Sequence, residues 1–248
     1  MTAAVSLICR YPIKSIGGEQ LADVDLHPSR PVPGDRRWAL LHQGGERHAT
    51  GRPGQWLPKS CFLRGAKAPN LQAVRGGWDG DKLRLSHPDL PALVFDPETE
   101  ADALIAWIAP LWPDDQPPAT RLLAAPISFM DVNQPFVSIL SQSSLRRVED
   151  DLGQALGTDR WRANFWIDGW APFAEFDLIG QILTIGGVEL RVVERIGRCS
   201  ATSANSETGM IDSDMPDNLR QHYGHSDFGV YAQVVTGGRV ALGDEVSV

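Results

Sequence analysis

Short runs that alternate hydrophobic and polar residues, separated by glycine and proline, cover much of the chain. In the first half they lie at residues 5–12, 21–27, 36–42, 81–87 and 91–97. In the last third they lie at residues 181–187, 188–196, 230–235 and 239–248. A period of two is typical of half-buried strands. We therefore predict a strand-rich protein, with hairpin turns at Gly186 and Gly187 and at Gly237 and Gly238.

Two segments follow helical spacing instead. Residues 101–112, ADALIAWIAPLW, predict a short helix that nearby prolines end. A second helix is predicted to begin near Ser144, with upstream serines as caps and Gly157 as its end. Its apolar residues recur every three or four positions: Leu145, Val148, Leu152 and Leu156.

Two stretches rich in proline suggest how the chain is divided. PDDQPPAT, residues 113–120, predicts a linker, and we place a domain boundary beside it, with domains at 1–110 and 111–248. TGRPGQWLPK, residues 50–59, predicts an exposed loop. The fold class expected from this order of elements is β-rich α+β.

Composition narrows the possible functions. A chain of 248 residues with 42% hydrophobic residues can bury a sizeable core. Its net charge of -8 argues against a nucleic-acid or anionic-membrane partner, because affinity for phosphate backbones comes from basic surface. The first residues lack the basic segment of a signal peptide, and no apolar run is long enough to span a membrane, so we expect a cytoplasmic protein.

The three cysteines are Cys9, Cys61 and Cys199, and they lie far apart. This spacing predicts neither a disulfide framework nor a CxxC metal site. Cys199 directly follows a predicted strand, and Arg195 and Arg198 beside it could stabilise a thiolate. Because a free cysteine is also often a small buried hydrophobe, these residues alone leave its role open.

A set of short words around Cys199 closely resembles the signature of MOSC domains. The words occur in the family's order and include Arg198-Cys199, with Thr202 three residues on. The other words are Trp161-Arg162-Ala163-Asn164, Asp168-Gly169, Ala174-Glu175, Thr208-Gly209, Phe228-Gly229-Val230-Tyr231 and Gly243-Asp244-Glu245-Val246.

The N-terminal part extends the resemblance over nearly the whole chain. Tyr11-Pro12-Ile13-Lys14-Ser15 and Gly34-Asp35-Arg36-Arg37-Trp38 are similar to words of the β-rich domain that precedes MOSC in the amidoxime-reducing component and its bacterial relatives. The resemblance implies a MOSC-type β-barrel domain packed on an N-terminal β-rich domain. The family's Thr-x-Arg-x-x-Pro word is poorly matched in HATGRPGQWLPK, residues 48–59, which we expect to line the substrate entrance.

The resemblance also implies a cofactor and a set of residues that hold it. Cys199 takes the position of the protein ligand to molybdenum in the molybdenum cofactor, molybdopterin. The positions that match cofactor contacts are Lys14, Ser15, Arg36, Ser141, Ser143, Arg162, Asn164, Arg198 and Thr202. Taken singly, the basic residues could be solvated rim charges, and Asn164 and the serines could be caps of helices or strands.

The resemblance implies a reductase that acts on small N-hydroxylated substrates. The chain has no clustered cysteines for an iron–sulfur centre and no flavin motif, so the resemblance implies electrons from a separate electron-transfer protein. We expect a monomer. Two alternatives stay open: a non-enzymatic carrier of the molybdenum cofactor or of sulfur on Cys199, and a β-barrel binding module with an inert cysteine.

Overall fold

Strands outnumber helices in the computed structural model, which describes residues 2–50 and 55–248. The helices are α1 (Glu46–Ala49), α2 (Ala101–Ile108), α3 (Gln142–Leu152) and α4 (Met215–Tyr223). None of them is long and apolar enough to cross a membrane. The strands are β1 (Ala3–Arg10), β2 (Glu19–Leu21), β3 (Asp23–Leu26), β4 (Trp38–His42), β5 (Trp78–Asp79), β6 (Lys82–His87), β7 (Leu90–Phe95), β8 (Ala119–Ala124), β9 (Val137–Ser141), β10 (Phe165–Asp168), β11 (Ile182–Ile185), β12 (Val188–Gly197), β13 (Asp227–Thr236), β14 (Gly238–Ala241) and β15 (Glu245–Ser247).

Seven strands close into a barrel in the order β10-β9-β13-β12-β11-β15-β1. The barrel closes because β1 pairs with β10 as well as with β15. The β9–β10 pair is parallel, with α3 in the connection between its strands, and the other pairs are antiparallel. This architecture confirms the predicted β-rich α+β class and the barrel.

The hydrophobic pattern of the strands explains how the barrel packs. In β12, Val188, Leu190 and Val192 are buried and alternate with more exposed residues, so one face of the strand fills the barrel. Strand β9 is buried throughout. Its outward Leu140 packs in a second cluster with Leu145 of α3, so both faces of this strand are covered.

The first half of the chain forms smaller sheets around its own core. Strands β5, β6 and β7 make a three-stranded sheet, and β4 pairs with β8. Apolar residues from these strands and from α2 form this core; they include Leu40, Leu83, Leu85, Phe95 and Leu104. Strand β8 begins within the predicted linker, so part of that proline-rich stretch is a strand.

Several strands pair across the expected boundary near residue 110. Strands β1 and β2 come from the N-terminal segment but belong to the barrel sheet, while β8 returns to β4. Strand β3 pairs with β14. The turn predicted at Gly237 and Gly238 is therefore wrong as a hairpin, because β14 leaves β13 and pairs with β3. The division at 1–110 and 111–248 stays a prediction along the sequence, and the strands of the two segments interleave in space.

Glycines with positive φ form one hairpin turn and end one helix. The hairpin at Gly186 and Gly187 is confirmed: Ile185 pairs with Val188, and both glycines have positive φ, 56° and 95°. The predicted end of α3 at Gly157 is wrong, because the helix ends at Gly153, whose φ is 61°.

Candidate functional site

A cavity of about 320 Å³ lies between the barrel and the small sheets. Its size falls at the lower end of the range typical of small-molecule sites, about 300 to 1,000 Å³. Residues from both halves of the chain line it. Seven residues predicted from the sequence are among them: Lys14, Ser15, Arg36, Arg162, Arg198, Cys199 and Thr202.

Cys199 lies where β12 opens into the following turn. It is exposed, whereas Cys9 and Cys61 are buried. A 3-10 helix begins directly after it at Ser200. Thr202 fixes this turn, because both its backbone N–H and its hydroxyl donate to the carbonyl of Cys199, at 3.0 and 2.8 Å. The structure thus presents the Cys199 thiol at the cavity on a hydrogen-bonded turn.

Three residues of the cavity wall have an uncommon backbone conformation. Ser15, Arg36 and Arg162 have φ of 63°, 48° and 52°. Only five non-glycine residues in the described part of the chain have positive φ. Three of the five line the cavity. Such conformations cost energy and concentrate at ligand sites, where the surrounding structure holds them. The backbone therefore marks the same place as the side-chain chemistry.

Backbone carbonyls hold two of the arginines in place. Arg162 donates to the carbonyl of Gly17 at 2.6 Å. Arg198 donates to the carbonyls of Phe228 and Trp161, at 2.8 and 3.0 Å. Since a guanidinium has five N–H groups, both keep further donors.

These two arginines keep their positive charge. Burial, followed by repulsion from Arg36, lowers the pKa of Arg162 to about 10. Burial also lowers the pKa of Arg198 to about 10. Both values lie well above neutral pH, so both side chains remain cations in the cavity wall.

Arg36 is bound to a buried carboxylate. It donates to Asp35, whose side chain is fully buried, and to the carbonyl of Arg162 at 3.1 Å. Burial alone would lower the pKa of Arg36, but attraction by Asp35 and Asp131 raises it above its usual value. Arg36 and Arg162 both lie over the ring of Tyr11, at 5.2 and 4.3 Å from its centroid. Their charges are therefore fixed close together.

Lys14 is almost completely covered. Its ammonium donates to the carbonyl of Phe129 at 2.9 Å and to the carboxylate of Asp131. Burial lowers the pKa of Lys14 from its usual value, and attraction by Asp131 opposes this change.

Positive charge dominates the cavity. Eight basic side chains line it: Lys14, Lys59, Arg36, Arg64, Arg160, Arg162, Arg195 and Arg198. Among the described lining residues only Asp131 and Glu194 are acidic. Arg160 is partly neutralised, because both its terminal nitrogens donate to Asp212 at 2.9 Å. The remaining field suits an anionic ligand.

Three residues predicted to contact the cofactor do not line the cavity. Ser141 caps α3, accepting from the N–H of Ser144, and its hydroxyl bonds to that of Ser143 at 2.7 Å. Asn164 is fully buried, and its side chain bonds to the backbone N–H and hydroxyl of Ser138 and to the carbonyl of Cys9. Asn164 thereby joins β1 and β9 beside β10. The structure gives these residues roles in holding the fold.

Other lining residues were not predicted from the sequence. Tyr231 belongs to a family word, so that word could have indicated it. Polar lining residues that lie outside the family words and the predicted entrance segment include Arg64, Gln72 and Asp131. Gln72 lies in the 3-10 helix Pro69–Ala73, and Arg64 and Asp131 lie on loops; their approach to the cavity depends on the tertiary fold.

The segment at 50–59 is only partly described, since 51–54 lie outside the described residues. Its expected exposure is wrong at Leu57, which is buried in a small apolar cluster. Trp56 donates to the carbonyl of Met130 at 3.1 Å. The following Lys59 reaches the cavity.

Several known proteins are similar to this chain. Human mitochondrial amidoxime-reducing component 1 is 31% identical over 95% of this chain and 80% of its own length. Bovine mitochondrial amidoxime reducing component 2 is 29% identical, over 44% of this chain and 36% of its own length. The crystal structure of the YUAD protein from Bacillus subtilis is 14% identical, covers 99% of this chain and 94% of that one, and has a TM-score of 0.47.

Two family profiles match consecutive parts of the sequence. The MOSC N-terminal beta barrel domain matches residues 2–108, and the MOSC domain matches residues 127–247. Together with the similarity to the human protein over most of both chains, these matches identify the family. The chain belongs to the MOSC-domain proteins that carry an N-terminal MOSC beta barrel domain.

Proposed function

We propose that the protein is a molybdenum-cofactor-dependent oxidoreductase that reduces N-hydroxylated small molecules. The observation that carries this proposal is the convergence of the exposed Cys199 with Lys14, Arg36, Arg162 and Arg198 on one cavity. A soft thiolate is a suitable ligand for a soft metal site, and clustered cations suit a phosphate-bearing cofactor. The names of the human and bovine relatives, amidoxime-reducing components, support the choice of reaction.

The residues present fit such a group. Cys199 would supply the protein's sulfur ligand, and Lys14 and Arg36 would attract the phosphate. Arg162 and Arg198, held by carbonyls, would keep positive charge in place without rearrangement when the anion binds. When bound, the cofactor supplies two-electron redox chemistry.

The overall reaction breaks an N–O bond and forms an N–H bond. It consumes two electrons and two protons and releases the oxygen as water. A separate electron-transfer protein supplies the electrons in this proposal. We place the reaction in the cytoplasm, where a reducing environment suits three free cysteines.

Two variants should separate metal ligation from cofactor binding. Cys199→Ser should abolish turnover while leaving part of the cofactor bound, because the phosphate contacts remain. Arg36→Lys keeps a cation beside Asp35 but removes the planar guanidinium. It should lower molybdenum content by roughly twofold to tenfold, since the charge is kept and losing one hydrogen bond costs about 0.5–1.5 kcal/mol. The loaded fraction should turn over normally.

Molybdenum content and activity per molybdenum, with an artificial electron donor and an amidoxime substrate, measure both effects. Arg84→Lys is the matched control, because Arg84 pairs with Asp79 at an exposed position. It should change neither quantity. Full activity per molybdenum in Cys199→Ser would refute the ligand assignment.

The carrier alternative has one observation in its favour, the exposure of Cys199. A carrier would transfer molybdenum cofactor or persulfide sulfur to an acceptor protein without turning over the amidoxime. Measuring both transfer to an acceptor protein and turnover of the amidoxime on one purified preparation therefore distinguishes a carrier from an enzyme.

A further inference from the structure

Asp131 covers the ammonium group that a cavity ligand would need. The side chain of Lys14 is 4% exposed, whereas that of Asp131 is 50% exposed. The ammonium has two described partners, the Asp131 carboxylate and the Phe129 carbonyl, and both come from the loop between β8 and β9. An anion from the cavity can therefore contact Lys14 fully only if the Asp131 carboxylate moves aside.

The Asp131 carboxylate lies among basic side chains, as a bound anion would. Desolvation opposes ionisation of its carboxyl group, but attraction by Lys14, Arg36 and Lys59 outweighs it and holds the pKa well below its usual range. Asp131 therefore stays negatively charged at neutral pH. Of the two acidic residues in the cavity wall, Glu194 makes no described contact with Lys14.

The loop is anchored just before Asp131. The backbone N–H of Phe129 donates to the carbonyl of Arg36 at 2.9 Å, and Trp56 donates to the carbonyl of Met130 at 3.1 Å. Phe129 and Met130 are both buried. A rotation of the Asp131 side chain leaves these anchors intact, so the carboxylate can leave Lys14 without unfolding the loop.

We propose that Asp131 is an internal competitor for the anion subsite at Lys14, which a phosphate monoester dianion occupies by displacing the Asp131 carboxylate. A monoanion that displaces the Asp131 carboxylate from Lys14 only replaces one negative charge by another. A dianion brings one more charge and more acceptor oxygens, which Arg36 and Lys59 can share with Lys14. The inference rests on the proposed function, because the phosphate in question is that of the cofactor.

Phosphate binding to the full chain from a molybdenum-depleted host tests the proposal. Calorimetry with inorganic phosphate and with phenyl phosphate, at about pH 8 where both are mainly dianions, gives Kd for each. Asp131→Asn should tighten both by on the order of tenfold, because the competing carboxylate is gone. Phenyl phosphate distinguishes a monoester site from one that takes only free phosphate. Asp131→Ser, also neutral, provides a second measurement should the asparagine variant fold poorly.

Glu194→Gln is the matched control, because it removes the same charge from the same cavity. It should change Kd by less than about twofold, since Glu194 does not cover Lys14. Adding Lys14→Met to Asp131→Asn should abolish the gain. Equal tightening in the Asp131 and Glu194 variants would overturn the proposal in favour of a general field effect. Weaker binding in Asp131→Asn would overturn it too, since Asp131 would then serve to position Lys14.

The molybdenum content of protein from a molybdenum-replete host separates this inference from the proposed function. Molybdenum-loaded protein with unchanged phosphate affinity in Asp131→Asn overturns the inference alone. Protein without molybdenum, but with tightened phosphate binding in that variant, supports the anion subsite and removes the proposed function.

Discussion

Glu175 is a buried acid whose ionisation should destabilise the fold. Its side chain is completely buried, and the hydroxyl of Ser144 lies 2.9 Å from both carboxyl oxygens. The same hydroxyl accepts from the backbone N–H of Phe173 at 2.8 Å. Burial raises the pKa of Glu175 from 4.5 to about 7, against the opposing effect of its hydrogen bonds.

The sign of the pH effect follows from proton binding. Between about pH 4.5 and 7 the folded protein holds a proton on Glu175 that the unfolded chain has lost. The free energy of unfolding therefore falls as the pH rises through this window. At about 1.36 kcal/mol for each pKa unit, the full loss is roughly 3 kcal/mol above pH 7.

Glu175→Gln keeps the shape and removes the titration. Its stability should match the wild type near pH 4.5 and exceed it by up to about 3 kcal/mol near pH 8. Urea unfolding at a series of pH values measures this difference directly. Glu207→Gln makes the same change at an exposed position and should follow the wild-type curve. Parallel curves for wild type and Glu175→Gln would show that the reasoning is wrong.

Two further variants test the barrel itself. Asn164→Ala should lower the free energy of unfolding by about 2–3 kcal/mol, because it removes the side-chain hydrogen bonds that join β1 and β9. Urea titrations measure this difference, and a loss smaller than about 1 kcal/mol would contradict the role of Asn164. Gly229→Ala should be more harmful than Gly187→Ala. Both residues have positive φ, which costs about 1–2 kcal/mol for other residues, but a Cβ on Gly229 would lie 2.3 Å from the Leu140 side chain, whereas one on Gly187 meets nothing within 4 Å. Equal melting temperatures for the two glycine variants would count against the steric argument.

The sequence predicted elements well where one local signal decided them. The β11–β12 hairpin follows from alternation on both sides of two glycines. Helix α3 was predicted too long because the apolar period continues to Leu156. That residue packs in the same cluster as Leu145 and Val148, but it does so from a loop after Gly153. Periodicity reports which side chains share a core, and it cannot tell whether the backbone between them is helical.

The site shows a similar limit. Family words indicated Cys199, Lys14 and Arg36, and the structure brings all three to one cavity. The same words offered Asn164 as a cofactor contact, but an amide can bond to a ligand or to neighbouring strands. Only the fold, which places Ser138 beside it, decides between these uses. Asp131 carries no local signal, because its importance depends on the distant Lys14.

The first strand has a consequence for how the barrel can assemble. Strand β1 pairs with β10 and β15, so two of its contacts join the start of the chain to partners more than 150 residues away. Until β1 docks, the strands that follow it in the barrel expose two unpaired edges. Such long-range closure is slow, and open edges invite pairing with other chains. A fragment that holds only the matched MOSC region, residues 127–247, would lack β1, one of the seven strands of the barrel. It should aggregate unless β1 is supplied as a separate peptide.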